Sequence, residues 1–324
     1  MTADCRPTRR RFLAAVGGAA ASLALAGCGG TDSEWVAADV PTDAALYDVV
    51  PTARGAYAVG EDGVVLARTD GDWTVALENG LSDAGDGLRT AAVTSNGQAI
   101  WMAGDSGALG LYDVVADHVV DFSAPKEKTT SWTTIAAAGL AGDERITVIN
   151  SSGELLNGRR DGADVEWGAV SKPGSGSSVT DVDLTSLAYG YIIDTDGGVF
   201  ESRDGGVTWT RIGIDGAGVN FAAVAAIDTG HVTVAGGNGA VYGYNGVNWS
   251  RTTLGEQPIT ALARNRDTAL AVSSSGMIYE RSFDGWEPRV RLRPGNELHA
   301  VALGTARSPR LVVGESGTVY ERRF

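Results

Sequence analysis

Lysine, cysteine and long apolar runs are all scarce in this chain of 324 residues. Its 26 basic residues include only three lysines (Lys126, Lys128 and Lys172), while 40 residues are acidic, so the formal net charge is −14. Because nucleic-acid phosphates require clustered positive charge, this balance argues against a nucleic-acid partner. Cys5 and Cys28 are the two cysteines, so the chain beyond them cannot contain a disulfide. No apolar run is long enough to form a stable membrane-spanning helix.

The acidity itself indicates adaptation to concentrated salt. A short Debye length there screens the self-repulsion that a high net charge would otherwise impose on the folded state. An ordinary acidic exported protein is the alternative interpretation.

An export signature occupies the start of the chain. Arg9 and Arg10, followed by Arg11-Phe12-Leu13, resemble a twin-arginine signal, and a weakly apolar stretch rich in Ala and Gly comes next. That stretch ends in Leu25-Ala26-Gly27-Cys28, which resembles a lipoprotein box. The resemblance implies that Cys28 is the first mature residue and carries a lipid.

These motifs predict a signal peptide over residues 1–27 and a lipidated tether over residues 28–33. Removing residues 1–27 takes away four arginines and one aspartate and leaves a mature charge of −17. We therefore expect export by the twin-arginine route and a location on the extracytoplasmic face of the cell membrane.

A short glycine turn recurs through the rest of the chain. Successive turn glycines are 37 to 46 residues apart, which is the length of one four-stranded propeller blade. Apolar stretches flank each turn, as in a β-hairpin whose glycine adopts a positive φ. The seven turns are EDG (61–63), DSG (105–107), SSG (151–153), TDG (195–197), GNG (237–239), SSG (274–276) and ESG (315–317).

Strands of small residues precede these hairpins, for example TIAAAG (134–139) and FAAVAA (221–226). Alanine forms strands weakly, so its persistence there indicates a crowded centre where seven innermost strands meet. The pattern predicts an all-β, seven-bladed propeller with four-stranded blades over residues 34–324.

One hairpin carries a fuller motif, ESRDGGVTWT (201–210). Its residues Ser202, Asp204, Gly206, Thr208 and Trp209 resemble the Asp-box of sialidase-type propellers. In that family the polar side chains bind the backbone of their own turn and the tryptophan packs between sheets. Short polar side chains commonly play this part in turns, so we assign the motif a structural role and no catalytic one. Looser versions precede Trp73, Trp167, Trp249 and Trp286, and residues 111–122 lack it.

The two ends of the chain predict how the ring closes. The last glycine turn is followed by only one further strand before Phe324, and Glu34-Trp35-Val36-Ala37 has the sequence of a missing outer strand. We therefore expect residues 34–39 to pair with residues 318–323, which removes two open strand edges.

Seven blades, a loose Asp-Gly and Trp signature and a short lipid tether resemble photosystem II stability/assembly-factor-like proteins and the wider class of sialidase-repeat propellers. The resemblance implies a membrane-anchored scaffold, expected to be a monomer, that binds a protein partner near the membrane. One alternative is a sialidase-like hydrolase of acidic glycans, and another is a structural or adhesive cell-surface protein. No arginine motif for a sialidase is found, so an enzyme is not expected.

Candidate binding residues are few. Arg289, Arg291 and Arg293 alternate along one strand and are the candidates for partner binding, with a solvated outer strand paired to neighbouring acids as the alternative. The histidines His118, His231 and His299 fall in different blades, so no metal site is predicted. We expect no cofactor, and calcium bound by the acidic loop 79–87 is the one alternative.

The variable connections between blades are expected to carry the ligand site, because rigid sheets that present variable loops form a common binding design. These connections are residues 39–45, 77–88, 123–131, 171–178, 213–218, 254–258 and 293–297.

Overall fold

The computed structural model describes residues 34–82, 84–174, 178–292 and 297–322. They form seven antiparallel four-stranded sheets arranged as a seven-bladed β-propeller. No helix in these ranges is long and apolar enough to cross a membrane. The short 3₁₀ turns are Glu61–Gly63, Asp105–Gly107, Pro125–Glu127 and Gly237–Gly239.

Each blade runs from an innermost strand to an outer one. The strands of blades 1 to 4 are β2 (Leu46–Thr52), β3 (Gly55–Gly60), β4 (Val65–Thr69), β5 (Asp72–Leu77); β6 (Leu88–Val93), β7 (Ala99–Gly104), β8 (Leu109–Asp113), β9 (His118–Asp121); β10 (Trp132–Leu140), β11 (Asp143–Asn150), β12 (Leu155–Asp161), β13 (Asp164–Trp167); and β14 (Val179–Leu184), β15 (Gly190–Asp194), β16 (Val199–Ser202), β17 (Thr210–Gly213).

Blades 5 to 7 follow the same order, except that the outer strand of blade 7 comes from the other end of the chain. Their strands are β18 (Phe221–Asp228), β19 (His231–Gly236), β20 (Ala240–Tyr244), β21 (Trp249–Thr253); β22 (Ile259–Arg264), β23 (Ala269–Ser273), β24 (Met277–Ser282), β25 (Gly285–Arg291); and β26 (Leu298–Ala302), β27 (Arg310–Gly314), β28 (Thr318–Arg322) with β1 (Trp35–Ala37).

Antiparallel order gives the ring two distinct ends. The seven glycine turns, between second and third strands, share one end with the connections from blade to blade, and we call this the connection end. The turns between first and second strands and between third and fourth strands lie at the opposite end.

The glycine turns have the geometry that the sequence predicted. In blade 1, Asp62 and Gly63 have φ of 54° and 75°, and the Val64 amide donates to the Glu61 carbonyl at 3.1 Å. This is a type I′ turn, which suits the twist of a hairpin. A Cβ on Gly63 would lie 2.5 Å from the backbone nitrogen of Gly80, so glycine also lets the turn pack against the next connection.

Every innermost strand contains a bulge near its start. In β2 the pairing shifts register between Leu46 and Asp48, and the other six innermost strands shift at the same position. The repeated bulge strengthens the local twist and bends each innermost strand.

Seven apolar clusters hold the ring together, one at each junction between neighbouring blades. Tryptophan occupies several of them, including Trp35, Trp73 and the fully buried Trp101 and Trp132. A tryptophan lies at or next to the start of the outer strand in blades 1, 4, 5, 6 and 7, whereas β9 of blade 2 has none and Trp167 ends β13 in blade 3. Its ring packs over Gly158, whose added Cβ would lie 2.6 Å from Trp167.

The ring closes as the sequence predicted. β1 pairs antiparallel with β28, so that Trp35, Val36 and Ala37 oppose Arg322, Glu321 and Tyr320. Trp35 is 8% exposed and packs among apolar residues of blades 6 and 7. Strand β1 begins at the opposite end of the ring and runs towards the connection end.

Candidate functional site

A narrow channel runs through the centre of the ring. The seven innermost strands line it and enclose a space of about 320 Å³. Small residues of these strands, such as Ala91, Ala223, Ala261 and Ala300, face the channel and leave this space. The persistent alanine in the sequence thus marks the channel wall.

Three aspartates stand on this wall among the small residues. Asp48 belongs to blade 1, and Asp181 and Asp183 belong to blade 4. Each binds the next innermost strand: Asp48 accepts from the Ala91 amide at 2.8 Å, Asp181 from the Val224 amide at 2.9 Å, and Asp183 from the Ala226 amide at 2.7 Å. The carboxyls thereby satisfy backbone amides of innermost strands and join neighbouring blades.

Burial raises the pKa of all three carboxyl groups. The pKa of Asp48 rises to about 7, that of Asp181 to about 6 and that of Asp183 to about 7, in each case because the narrow channel desolvates the charged form. The backbone amides oppose this rise, and Asp181 adds to it at Asp48 and Asp183. A part of each side chain still reaches the channel interior.

We expect folding stability to fall as the pH rises from about 4 to about 7. The unfolded carboxyls titrate near 3.8, so the folded protein binds more protons between about pH 4 and 7. Their stabilisation is complete below about pH 4 and is lost as the pH rises through the folded values. Melting followed by circular dichroism should show a drop of roughly 5 °C over this range.

Asp183→Asn should flatten that pH dependence, because an amide keeps the acceptor for Ala226 and has no charge to desolvate. Asp204→Asn serves as the matched control, since Asp204 lies outside the channel and its turn lowers its pKa. An unchanged slope in Asp183→Asn would contradict the assignment of the effect to the channel.

A charged and aromatic cluster surrounds the channel mouth at the connection end. The Tyr47 and His299 rings are 5.4 Å apart, and the Arg89 guanidinium lies 5.3 Å from the centre of the Tyr47 ring. Arg89 Nε donates to Asp105 at 2.6 Å, and His299 Nε2 is 2.8 Å from Glu315. Burial and then the Glu61 charge raise the pKa of Tyr47. We call Tyr47, Arg89 and His299 the mouth cluster.

The mouth cluster offers both charge and aromatic surface to a ligand. The Arg89 side chain is 44% exposed, although Asp105 and Tyr47 hold its position. Tyrosine and arginine are enriched in protein interfaces because they combine apolar area with hydrogen-bonding groups. Three strands meet here, since these residues lie at the starts of the innermost strands of blades 1, 2 and 7.

The residues proposed from the sequence lie elsewhere. Arg289 donates to Glu280 at 3.0 Å and also contacts Glu287, which matches the alternative of a strand paired with acids. Strand β25 shifts register next to Arg289, so the predicted even alternation with Arg291 is interrupted. Arg293 lies outside the described residues.

Glu280 in fact gathers three arginines, since Arg310 and Arg322 bind it as well as Arg289. Burial raises the pKa of Glu280, but the hydrogen bonds from Arg310 and Arg322 outweigh burial and lower it. This cluster joins blades 6 and 7.

The Asp-box residues bind their own turn. Ser202 Oγ accepts from the Gly206 amide at 2.7 Å, and Asp204 accepts from the Thr208 amide at 2.9 Å and from its hydroxyl at 2.6 Å. Trp209 Nε1 donates to the Gly206 carbonyl at 3.0 Å. All these contacts lie at the opposite end, away from the channel mouth.

Other candidate residues are dispersed. His118, His231 and His299 lie in blades 2, 5 and 7, and no group of three potential metal ligands occurs among the described residues. Asp83 of the acidic loop, the signal arginines Arg9 and Arg10, and Cys28 lie outside the described residues.

The channel aspartates and the mouth cluster were not predicted from the sequence. One signal was present: polar residues interrupt the small-residue strands at fixed positions, as in LYDVV (46–50), LRTAAV (88–93) and VTDVDL (179–184). Aligning the seven innermost strands on their first apolar residue places Tyr47, Arg89 and His299 at one position and Asp48 and Asp181 at the next.

No protein-family model and no curated protein matches the chain. Solved structures do. YCF48 from Cyanidioschyzon merolae is similar with a TM-score of 0.68 at 16% identity, over 89% of this chain and 98% of that one. YCF48 bound to a D1 peptide is similar with a TM-score of 0.70 at 13% identity, over 90% and 97%.

A catalytically inactive virginiamycin B lyase from Staphylococcus aureus is similar with a TM-score of 0.73 at 11% identity, over 89% of this chain and 98% of the lyase. At these identities the likeness shows the fold alone, a seven-bladed propeller that hosts both binding proteins and an enzyme.

Proposed function

We propose that this chain is a membrane-anchored extracytoplasmic scaffold that holds a segment of a protein partner at the connection end of its ring. The mouth cluster is the observation that carries the proposal. It combines an exposed cation, two aromatic rings and neighbouring acids on rigid strands, which is a composition suited to a peptide. A structure of the same fold, YCF48, is bound to a D1 peptide.

The anchor in this proposal is Cys28. It precedes Trp35 by seven residues, and a fully extended segment of that length spans roughly 25 Å. A lipid on Cys28 would therefore keep the propeller close to the membrane surface, where a partner in the membrane is within reach.

Crosslinking in intact cells tests the partner site. With a photo-crosslinking residue at position 47, we expect one recurring protein to be captured. Arg89→Ala should reduce that capture by about tenfold, as expected for a central interface arginine. Arg211→Ala is the matched control, since Arg211 is exposed on the outer strand of blade 4. Capture that is equal at position 47 and at position 115, at the opposite end, would contradict the proposal.

One observation favours the rival function, a hydrolase of acidic glycans. Asp48, Asp181 and Asp183 are channel carboxyls with raised pKa values, a property common in active sites. However, each already accepts a backbone amide of a neighbouring blade. Turnover of chromogenic glycosides in concentrated salt, abolished by Asp181→Asn in a folded protein, would establish the hydrolase and defeat the scaffold.

A further inference from the structure

A cleft of about 390 Å³ opens between blades 5 and 6 at the opposite end of the ring. Two aromatic residues, Tyr244 and Trp286, form part of its walls, and two cations, Arg264 and Arg281, line it. The cleft is separate from the channel and from the mouth cluster, and neither the proposed partner site nor the anchor uses it.

The two cleft arginines belong to the group of described arginines that have no carboxylate as an ion-pair partner. Eight others do bind carboxylates directly, namely Arg68, Arg89, Arg159, Arg160, Arg203, Arg289, Arg310 and Arg322. Within the described ranges, neither Arg264 nor Arg281 has a carboxylate within ion-pair distance.

Arg264 is held in an unfavourable position. Its Nη1 donates to Thr233 Oγ1 at 2.5 Å, while its Nε is buried without an acceptor among the described residues. Burial, and then the nearby Arg281 charge, lower its pKa. The carboxylate that attracts it, Asp228, is 2.8 Å from His231 Nδ1. A bound anion would relieve both the desolvation and the repulsion.

Exposed apolar tips stand on both sides of the cleft. Val247, on the β20–β21 turn, is 78% exposed, and Phe283, on the β24–β25 turn, is 101% exposed. Nine large apolar residues are exposed on the described surface, and six of them lie at this same end of the ring. These six are Val247 and Phe283 together with Val115, Leu140, Leu187 and Val207. An apolar surface concentrated at one end indicates contact with an apolar medium or partner.

We propose that this cleft binds the phosphate of an anionic phospholipid while Val247 and Phe283 insert into the bilayer interface. In a phospholipid the charged phosphate lies next to the apolar acyl chains. The cleft matches this order, because its two guanidiniums can bind an oxyanion while the apolar side chains beside it contact the acyl region. The inference goes beyond the proposed function, because it requires neither a lipid on Cys28 nor a protein partner.

Charge and topology favour the same sector of the ring. The turns of blades 5 to 7 at this end add the exposed cations Arg266 and Arg307, against the acids Asp228, Asp267 and Asp284. The corresponding turns of blades 1 to 3 carry one exposed cation, Arg54, against the acids Asp70, Asp72, Asp113, Asp117, Asp161 and Asp164. An anionic surface would therefore attract blades 5 to 7 and repel blades 1 to 3. Strand β1 also begins at this end of the ring.

Vesicle binding by a chain that starts at residue 29 tests the proposal without any lipid anchor. This chain keeps all twenty-eight strands of the ring. We expect it to sediment with vesicles that contain phosphatidylglycerol and not with pure phosphatidylcholine. Arg264→Gln with Arg281→Gln should weaken the partition by roughly thirtyfold, the loss expected for two cations near a charged surface. Val247→Ser with Phe283→Ser should weaken it by at least roughly tenfold.

Matched controls lie at the same end of the ring. Arg54→Gln in blade 1 and Val115→Ser in blade 2 remove one exposed cation and one exposed apolar residue outside the cleft, and both should leave partition unchanged. If Arg264→Gln disturbs folding, the proposal is tested with Arg281→Gln and with the Val247→Ser, Phe283→Ser double variant. Three results would overturn the proposal: no binding to anionic vesicles, equal losses in cleft and control variants, or binding of inorganic phosphate or of a peptide carboxylate without vesicle binding.

Discussion

A chain that begins at residue 41 should melt at least roughly 15 °C below a chain that begins at residue 29. The shorter chain lacks β1, so β28 loses its only partner on one side and the junction of blades 6 and 7 loses Trp35. Truncating a buried tryptophan alone costs about 3–5 kcal/mol, and the lost strand pairing adds to that. Since domains are stable by only about 5–15 kcal/mol, the loss consumes a large part of the total.

Three single substitutions separate the causes of this loss. Trp35→Ala keeps the strand and removes the buried ring, so it should reproduce part of the effect. Trp35→Phe should be mild, because the indole N–H has no acceptor among the described residues and its removal leaves no hydrogen bond broken. Val36→Ala, at a side chain that is 58% exposed, should change little. Equal melting temperatures for the two chain lengths would refute closure by β1.

Glu321→Ala should be the most damaging single substitution in the charged network of the ring. Glu321 in β28 of blade 7 accepts two hydrogen bonds from Arg68 in blade 1, at 2.6 and 2.9 Å, and one from Trp73 Nε1 at 2.9 Å. Both charged side chains are nearly inaccessible to solvent. Removing the carboxylate leaves a buried cation without its partner, which costs about 3–5 kcal/mol. The expected fall in melting temperature is roughly 10 °C.

A double variant distinguishes the ion pair from the packing around it. Arg68→Met with Glu321→Leu removes both charges and retains most of the volume, so it should recover much of the stability that Glu321→Ala loses. Glu287→Ala is the matched control, because its pair with Arg289 is exposed and should be worth at most about 1 kcal/mol. Urea unfolding measures all four proteins. A loss as small as that of Glu287→Ala would show that the buried pair does not hold blades 7 and 1 together.

The fold could be predicted because its signals are local in the sequence. The turn glycines indicate a backbone with positive φ, which glycine tolerates best, and their spacing gives the length of a blade. Ring closure was predictable because Glu34-Trp35-Val36-Ala37 resembles the outer strands that precede innermost strands elsewhere, and the structure pairs Trp35 with Arg322.

The functional surfaces were not readable in the same way, because they join residues that are distant in the sequence. Glu321 and Arg68 are 253 residues apart, and nothing near either one identifies the other. The alternation of Arg289 and Arg291 was visible in the sequence, but the Glu280 carboxylate that binds Arg289 was not. Arg264 and Arg281 are 17 residues apart in the sequence, and only the assembled blades show that both line one cleft.

Closure between β1 and β28 also has a consequence for the order of synthesis. Strand β1 is the first of the twenty-eight strands to leave the ribosome, and its partner β28 is the last. The complete ring therefore exists only after translation reaches Arg322. A product that terminates before Thr318 lacks β28 and would present two bare strand edges at once, one on β27 and one on β1. Such edges promote aggregation, so termination before Thr318 should send the chain to proteolysis and leave no partly active ring.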